Sequence, residues 1–121
     1  MTVDEFLVLV QNTKIDQQRV NSVELVYGKI NDELAKKILS LNLNDYFLES
    51  EDFLRILSMD DILGASQSLK IDFISRNIIP FFDVGDNDFI VYHTKSGKWS
   101  YMNIVDEICF SEADSLDKLI K

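Results

Sequence analysis

The chain has 121 residues, of which 46% are apolar and 27% are charged, and its formal net charge is −9. This length suits one domain over residues 1–121, and the composition excludes disordered and collagen-like classes. The negative charge disfavours nucleic acid and anionic membranes as partners and favours fast encounter with basic proteins. An acidic surface that only maintains solubility is the alternative.

The sequence contains one cysteine, Cys109, so no disulfide can form within the chain, as is typical of a reducing compartment. The first residues are acidic where a signal peptide carries Lys or Arg, and no apolar run approaches the roughly 20 residues of a membrane span. These features predict a soluble, cytoplasmic protein. Cys109 stands between Ile108 and Phe110 and is predicted to be buried.

Helices are predicted at the start of the chain. Thr2 followed by Glu5 forms a capping-box pattern for a first helix that ends near Asn12. Residues 14–19 are polar and are predicted to form a loop. Residues 20–27 fit either a short strand or the start of a helix.

A clearer helix is predicted to begin after Asn31, which would be its N-cap, and to end at Asn42 and Asn44. Apolar residues at helical spacing indicate one buried stripe, and two lysines beside this stripe are predicted to be solvated. The stripe comprises Leu34, Ile38 and Leu41, and the lysines are Lys36 and Lys37.

Two short strands, at residues 46–48 and 53–57, are predicted around an acidic turn at residues 49–52. Ser58 followed by Asp61 repeats the capping pattern, and a third helix is predicted from there to about residue 69.

The second half of the chain has the pattern of strands. Pro80 cannot donate to a ladder, so it must lie at an edge, at a strand start or at a bulge. Ser111 is predicted to cap a closing helix with Leu116, Leu119 and Ile120, and this order of elements predicts the α+β class. The expected strands are residues 78–82, 89–93, 98–103 and 108–110, with a tight turn at 94–97.

Three segments carry a recognisable pattern: IIPFFDVGDNDFIVY (78–92), GKWSYMNIVDEI (97–108) and SLDKLI (115–120). They contain a strand with "IP", a loop rich in Gly, Asp and Asn, a Gly turn before an aromatic strand, and a short closing helix. This pattern resembles the SUKH superfamily of bacterial immunity proteins. The helix at 29–41 and the segment 57–63 resemble the opening and middle helices of that family, so the likeness covers roughly residues 20–120.

The resemblance implies an α+β fold with a largely antiparallel sheet packed against N-terminal helices, and it implies no cofactor. Bacterial members bind and neutralise a toxin domain, often a nuclease, and fungal members resemble regulators of cell-wall assembly. We therefore expect an immunity protein that inhibits a cognate, basic toxin stoichiometrically. A regulatory scaffold in envelope synthesis is the second hypothesis and a small hydrolase the third, and the oligomeric state is left open.

Acidic and aromatic side chains are the candidate contacts with such a partner. The loop at 83–88 places three carboxylates on one turn, where they could pair with Lys or Arg or simply bond to amides of the turn. Aromatic residues on neighbouring predicted strands could bind a partner or could pack under a helix. The candidates are Asp83, Asp86, Asp88, Tyr92, Trp99, Tyr101, Asp60 and Asp61.

The sequence contains no recognisable catalytic or metal-binding motif. His93 is the only histidine and, being next to a turn, is predicted to be exposed. The four glycines are too far apart for a nucleotide-binding loop, and the spacing within residues 83–88 does not fit a calcium loop. We expect no cofactor and no metal, although a carboxylate pair at glycosidase distance is left open by the sequence.

Overall fold

Residues 1–41, 46–50 and 53–120 are described by a computed structural model, and they form an α+β fold, which confirms the predicted class. None of the described helices is long and apolar enough to cross a membrane. The elements are α1 (Val3–Gln11), α2 (Gln17–Tyr27), α3 (Glu33–Ser40), β1 (Phe47–Leu48), β2 (Leu54–Ile56), α4 (Met59–Leu63), α5 (Ala65–Leu69), β3 (Ile78–Gly85), β4 (Asp88–His93), β5 (Trp99–Asn103), β6 (Ile108–Ala113) and a 3-10 turn (Leu116–Lys118).

The strands form one sheet in which each strand pairs antiparallel with the next one along the sequence, in the order β1-β2-β3-β4-β5-β6. Such a meander places successive connections at opposite ends of the sheet. The β1–β2, β3–β4 and β5–β6 connections therefore share one end. The β2–β3 and β4–β5 connections leave from the other end.

Helices cover both faces of this sheet. Phe6 of α1 packs edge-on against Phe82 of β3, with ring centroids 5.9 Å apart, so α1 lies on the face that Phe82 shares with its pair Ile56. Successive residues of a strand point to opposite faces, so Arg55 and its pair Asp83 point the other way. There they line a cavity together with residues of α5.

The first helix begins as predicted, because Thr2 and Glu5 form the capping box with bonds of 3.1 and 3.2 Å. The predicted loop at 14–19 is wrong in its second half. The Asp16 carboxylate accepts from the Gln18 and Arg19 amides, and α2 begins at Gln17. The ambiguous stretch at 20–27 is therefore helical.

Helix α3, which was predicted to follow an N-cap at Asn31, begins one residue later. Asp32, not Asn31, is the N-cap and accepts from the Ala35 amide at 2.9 Å. The buried side chains of α3 therefore differ from the predicted stripe, and the two lysines are less solvated than predicted. Ala35, Ile38 and Leu39 are buried, whereas Leu34, Leu41, Lys36 and Lys37 are only partly buried. Asn42 and Asn44 lie outside the described residues.

The helix predicted after residue 58 forms as two short helices. The Ser58 hydroxyl accepts from the Asp61 amide at 3.2 Å, which confirms the capping box. Gly64 ends α4 and precedes α5, so the predicted continuous helix is interrupted there. The Tyr27 hydroxyl donates to the Ile62 carbonyl, which joins α4 to α2.

All six predicted strands are present, with bounds that differ by one to three residues. The pairing of β3 with β4 shifts register between Pro80 and Phe82, so of the three predicted settings Pro80 takes the bulge. The predicted loop at 83–88 is shorter than expected, because only two residues separate β3 from β4. Asp86 and Asn87 have φ of 53° and 66°, as a type I′ hairpin turn requires.

The predicted closing helix is wrong in its start and its extent. Ser111, its predicted N-cap, lies inside β6 with φ of 55°, opposite a register shift between Trp99 and Tyr101. Among the residues described after β6, the regular element is the 3-10 turn. The reason is that β6 continues three residues further than the sequence pattern indicated, so the predicted N-cap and first turn of the helix are part of a strand.

A partly buried hydrogen bond joins α3 to the sheet. The Trp99 indole nitrogen donates to Asp32 Oδ2 at 3.1 Å, while Asp32 Oδ1 caps α3. Replacing Asp32 by Ala would remove the cap and leave a buried donor unpaired. We expect Asp32→Ala to lower the free energy of unfolding by about 2–4 kcal/mol.

Urea unfolding followed by the fluorescence of Trp99, the only tryptophan, measures this change. Glu33→Ala is the matched control, because Glu33 is an exposed neighbour whose only described charge partner is Lys37. Equal loss of stability in the two variants would contradict a role for the Asp32–Trp99 hydrogen bond.

His93 is half-buried rather than exposed as predicted, and its Nε2 lies 2.8 Å from the Ser100 hydroxyl. Burial lowers the pKa of His93, and the Glu112 carboxylate opposes this shift only in part. Below its ordinary pKa near 6.5, the unfolded chain therefore binds a proton more readily than the folded one. The contribution of His93 to stability falls as the pH drops through this range.

His93→Gln keeps a hydrogen-bonding group and does not titrate. We expect the variant to lose less stability than the wild type between about pH 7.5 and about pH 5.5. Urea unfolding at both values tests this. Identical pH dependence in the two proteins would show that His93 titrates alike in the folded and unfolded states.

Candidate protein-binding surface

Three connections of the meander place acidic residues at one end of the sheet. Two of these turns touch directly, because the Ile104 amide donates to the Asn87 carbonyl at 2.9 Å. Gly85 lies against the Phe53 ring, where an added Cβ would stand 3.6 Å from the nearest ring atom. The three connections therefore form one continuous surface. We name it the acidic turn end, and its carboxylates belong to Glu49, Asp86, Asp88, Asp106 and Glu107.

The three carboxylates predicted on the loop at 83–88 have different surroundings. Asp86 is exposed at the tip of the turn. Asp88 is partly buried and accepts from the Asn103 side chain at 2.9 Å. Asp83 accepts from the Gly85 amide at 2.9 Å and lines the cavity beside α5. Only Asp86 of these three presents its charge fully to solvent.

Asp61 and Asp83 are brought together by a cation of the chain itself. Arg55 Nη1 lies 3.2 Å from Asp61 Oδ2, and Arg55 Nη2 lies 3.3 Å from Asp83 Oδ2. Burial alone would lower the pKa of Arg55, but the hydrogen bonds with Asp83 and Asp61 outweigh it and raise that pKa. These carboxylates therefore have a structural partner. Asp60 is exposed on α4 and does not belong to the acidic turn end.

Arg55 also lines a cavity of about 200 Å³ between the sheet and α5. Its remaining walls are largely apolar, and Asp61 and Asp83 stand beside the guanidinium. The described residues contain no group of three or more His, Cys, Asp and Glu side chains placed to hold a metal ion. The lining residues are Arg55, Leu57, Asp61, Ala65, Ser68, Leu69, Asp83 and Phe89.

The aromatic candidates differ in burial. Tyr92 and Trp99 are fully buried, and their ring centroids lie 5.1 Å apart beneath the helical layer. Of the two alternatives for these rings, packing beneath a helix is the one observed for Trp99, because Asp32 of α3 accepts from its indole. Tyr101 is partly buried, donates to the Leu119 carbonyl at 3.3 Å and stacks on Phe110.

Sequence reasoning missed the apolar side chains that are exposed beside the acids. Phe47 and Phe53 form an edge-on pair, with centroids 5.1 Å apart, and each is about half exposed. Val105 and Ile108, in and after the β5–β6 turn, are 69% and 58% exposed. Exposed aromatic and aliphatic groups beside charges are typical of protein-binding surfaces. Their adjacency to acids was visible in the sequence, but their exposure depends on the sheet order.

No layer of the described residues covers strand β6, and every residue of the strand is exposed or partly exposed. Cys109, which the sequence predicted to be buried, is exposed. The physical reason is position, because β6 is an edge strand that extends beyond both helical layers. The other edge is covered, since the Glu49 amide donates to the Met1 carbonyl at 2.8 Å and Thr2 bridges to Glu49.

Comparison of the chain with protein-family models, with curated proteins and with solved structures gave no match. The resemblance to the SUKH superfamily therefore remains a prediction from the sequence.

The exposure of Cys109 predicts a freely reacting thiol. In the native protein, Ellman's reagent should titrate one thiol without denaturant, at a rate within about tenfold of that in urea. Cys109→Ser serves as the blank, because Cys109 is the only cysteine. A thiol that reacts only after unfolding would contradict the exposed placement of β6.

Proposed function

We propose that this chain is an immunity-type protein of the bacterial cytoplasm that binds a basic protein toxin and neutralises it. Inhibition would be stoichiometric, with one surface occupying or distorting the site of the toxin and no chemical turnover. The likeness of the second half to the SUKH superfamily supports a toxin as the partner. The acidic turn end supports its basic character.

One observation is central to this proposal: charge and exposed apolar area occur on the same continuous surface. The five carboxylates of the acidic turn end are accompanied by Phe53, Val105 and Ile108. Two of the five carboxylates have a cation partner among the described residues: Glu107 pairs with Arg76 at 3.0 Å, and Glu49 lies 3.8 Å from the N-terminal amine. The negative potential of the other three carboxylates is left for a partner.

Charge and apolar area would contribute to different steps of binding. Carboxylates that remain hydrated attract a basic partner over about 8–10 Å and raise the association rate, but they add little affinity. Apolar groups act at contact, where removal of Phe53 or Ile108 from water slows dissociation. An inhibitor that must capture a toxin before it acts benefits from both.

The proposal is tested with the purified toxin domain encoded in the reading frame beside this chain. We expect a one-to-one complex, loss of toxin activity at equimolar inhibitor, and an association rate that falls between about 20 mM and about 500 mM salt. Absence of a complex would overturn the proposal. Inhibition whose rate is independent of salt would overturn its electrostatic part.

Neutralising two carboxylates of the acidic turn end should slow association. Asp86→Asn with Asp106→Asn keeps the turn, because Asn also accepts positive φ at position 86. We expect the association rate at about 20 mM salt to fall about threefold to tenfold, with little change in dissociation. Stopped-flow mixing with the toxin domain measures both rates.

The matched control removes the same charge elsewhere. Asp60→Asn with Glu33→Gln alters two exposed carboxylates on α4 and α3. We expect a smaller change in association rate than in the turn variant. An equal change in the two double variants would mean that net charge matters and the acidic turn end does not.

A further inference from the structure

The two edges of the sheet differ in how they end. At β1 the N-terminal residues pair with Glu49 and cover the edge. At β6 the described residues provide pairing on one side only, from β5. Proteins usually protect long strand edges, because an open edge can pair with another chain. Here one edge is covered and the other is open.

The hydrogen-bond alternation identifies the backbone groups of β6 that face outward. The His93 amide donates to the Lys98 carbonyl and the Ile104 amide to the Asn87 carbonyl, so alternate residues of β5 bond toward β4. The residues between them bond toward β6. In the register of β5 with β6, Cys109 lies opposite Met102, whose backbone groups bond toward β4.

The backbone amide and carbonyl of Cys109 therefore point to the open edge, while those of Ile108 and Phe110 point to β5. The side chains of Ile108 and Phe110 lie on one face and are 58% and 42% exposed. Ser111, with φ of 55°, ends the regular stretch at a bulge. The open template is thus short, apolar and centred on residue 109.

We infer that an extended segment of the basic partner pairs with β6 as a seventh strand. This inference rests on the proposed function and names how the partner binds. Strand addition supplies main-chain hydrogen bonds, and side chains at alternate positions supply specificity. Apolar side chains of the partner would pack on Ile108 and Phe110.

Charge complementarity favours a basic partner over a second copy of this chain. Residues 104–118 contain five acidic side chains and one basic side chain. Pairing of two β6 strands would bring two such segments together, and like charges across a strand pair are destabilising. A segment with Lys or Arg at its flank would instead lie near the exposed Asp106. Glu107 and Glu112, at the two ends of the strand, are exposed and already pair with Arg76 and Lys98 at 3.0 and 3.3 Å.

A pair of variants separates backbone pairing from side-chain contact. Cys109→Pro removes the amide that faces the open edge and leaves the bonds to β5, since Pro is tolerated on edge strands with that geometry. Cys109→Ala removes the thiol and keeps the amide. With the toxin domain encoded beside this chain as the probe, we expect Cys109→Pro to weaken binding about tenfold or more. Cys109→Ala should bind like the wild type.

Hydrogen–deuterium exchange of the wild type provides a second measurement that does not depend on folding of the proline variant. Residues 108–111 should exchange more slowly in the complex than in the free chain. Equal binding by both variants, with no protection of residues 108–111, would overturn strand addition and leave the proposed function standing. If the wild type does not bind the toxin domain, both proposals fail.

Sedimentation of the chain alone tests whether a second copy of this chain pairs with β6. We expect a monomer in the wild type and in both variants. A wild-type dimer that Cys109→Pro converts to a monomer would show that a second copy occupies the edge, which would overturn the inference.

Discussion

Strands that pair with their neighbours in chain order must place alternate connections at opposite ends of the sheet. Here this geometric constraint gathers three acidic connections at one end and places β6 at the last position, where no further strand follows in the described chain. Glu49, Asp86 and Asp106 are far apart in sequence and lie at the same end of the sheet for this reason. A different strand order would distribute the same carboxylates over the whole surface.

The helices add a second constraint, because they cover the middle of the sheet on both faces and leave its rim. Trp99 and Tyr92 lie under this cover and contribute to the core, whereas Phe53 and Ile108 lie at the rim and remain exposed. The carboxylates divide in the same way. Asp32 and Asp83 have internal donors, from Trp99 and Arg55 respectively, and Asp86 has none among the described residues.

Features that depend on a few neighbouring residues were predictable from the sequence. The capping boxes at Thr2 and Ser58 formed as expected, since each needs only its own residue and the one three positions later. The strands were located for a similar reason, namely runs of β-branched and aromatic residues. Burial was not predictable in this way: Cys109 and Trp99 both lie in apolar strand patterns, yet one is at an open edge and the other beneath α3. The bulge at Ser111 likewise depends on the register with β5. The neighbouring residues alone therefore could not show that Ser111 is not a helix cap.

The type I′ turn at Asp86 and Asn87 also limits how this surface can diverge. Both positions require positive φ, which among the residues with side chains Asn and Asp adopt most readily. Exchange between these two residues changes one unit of charge at the most exposed point of the hairpin and leaves its backbone unaltered. A lineage of such proteins could therefore change the charge of the acidic turn end through single substitutions that the fold does not resist.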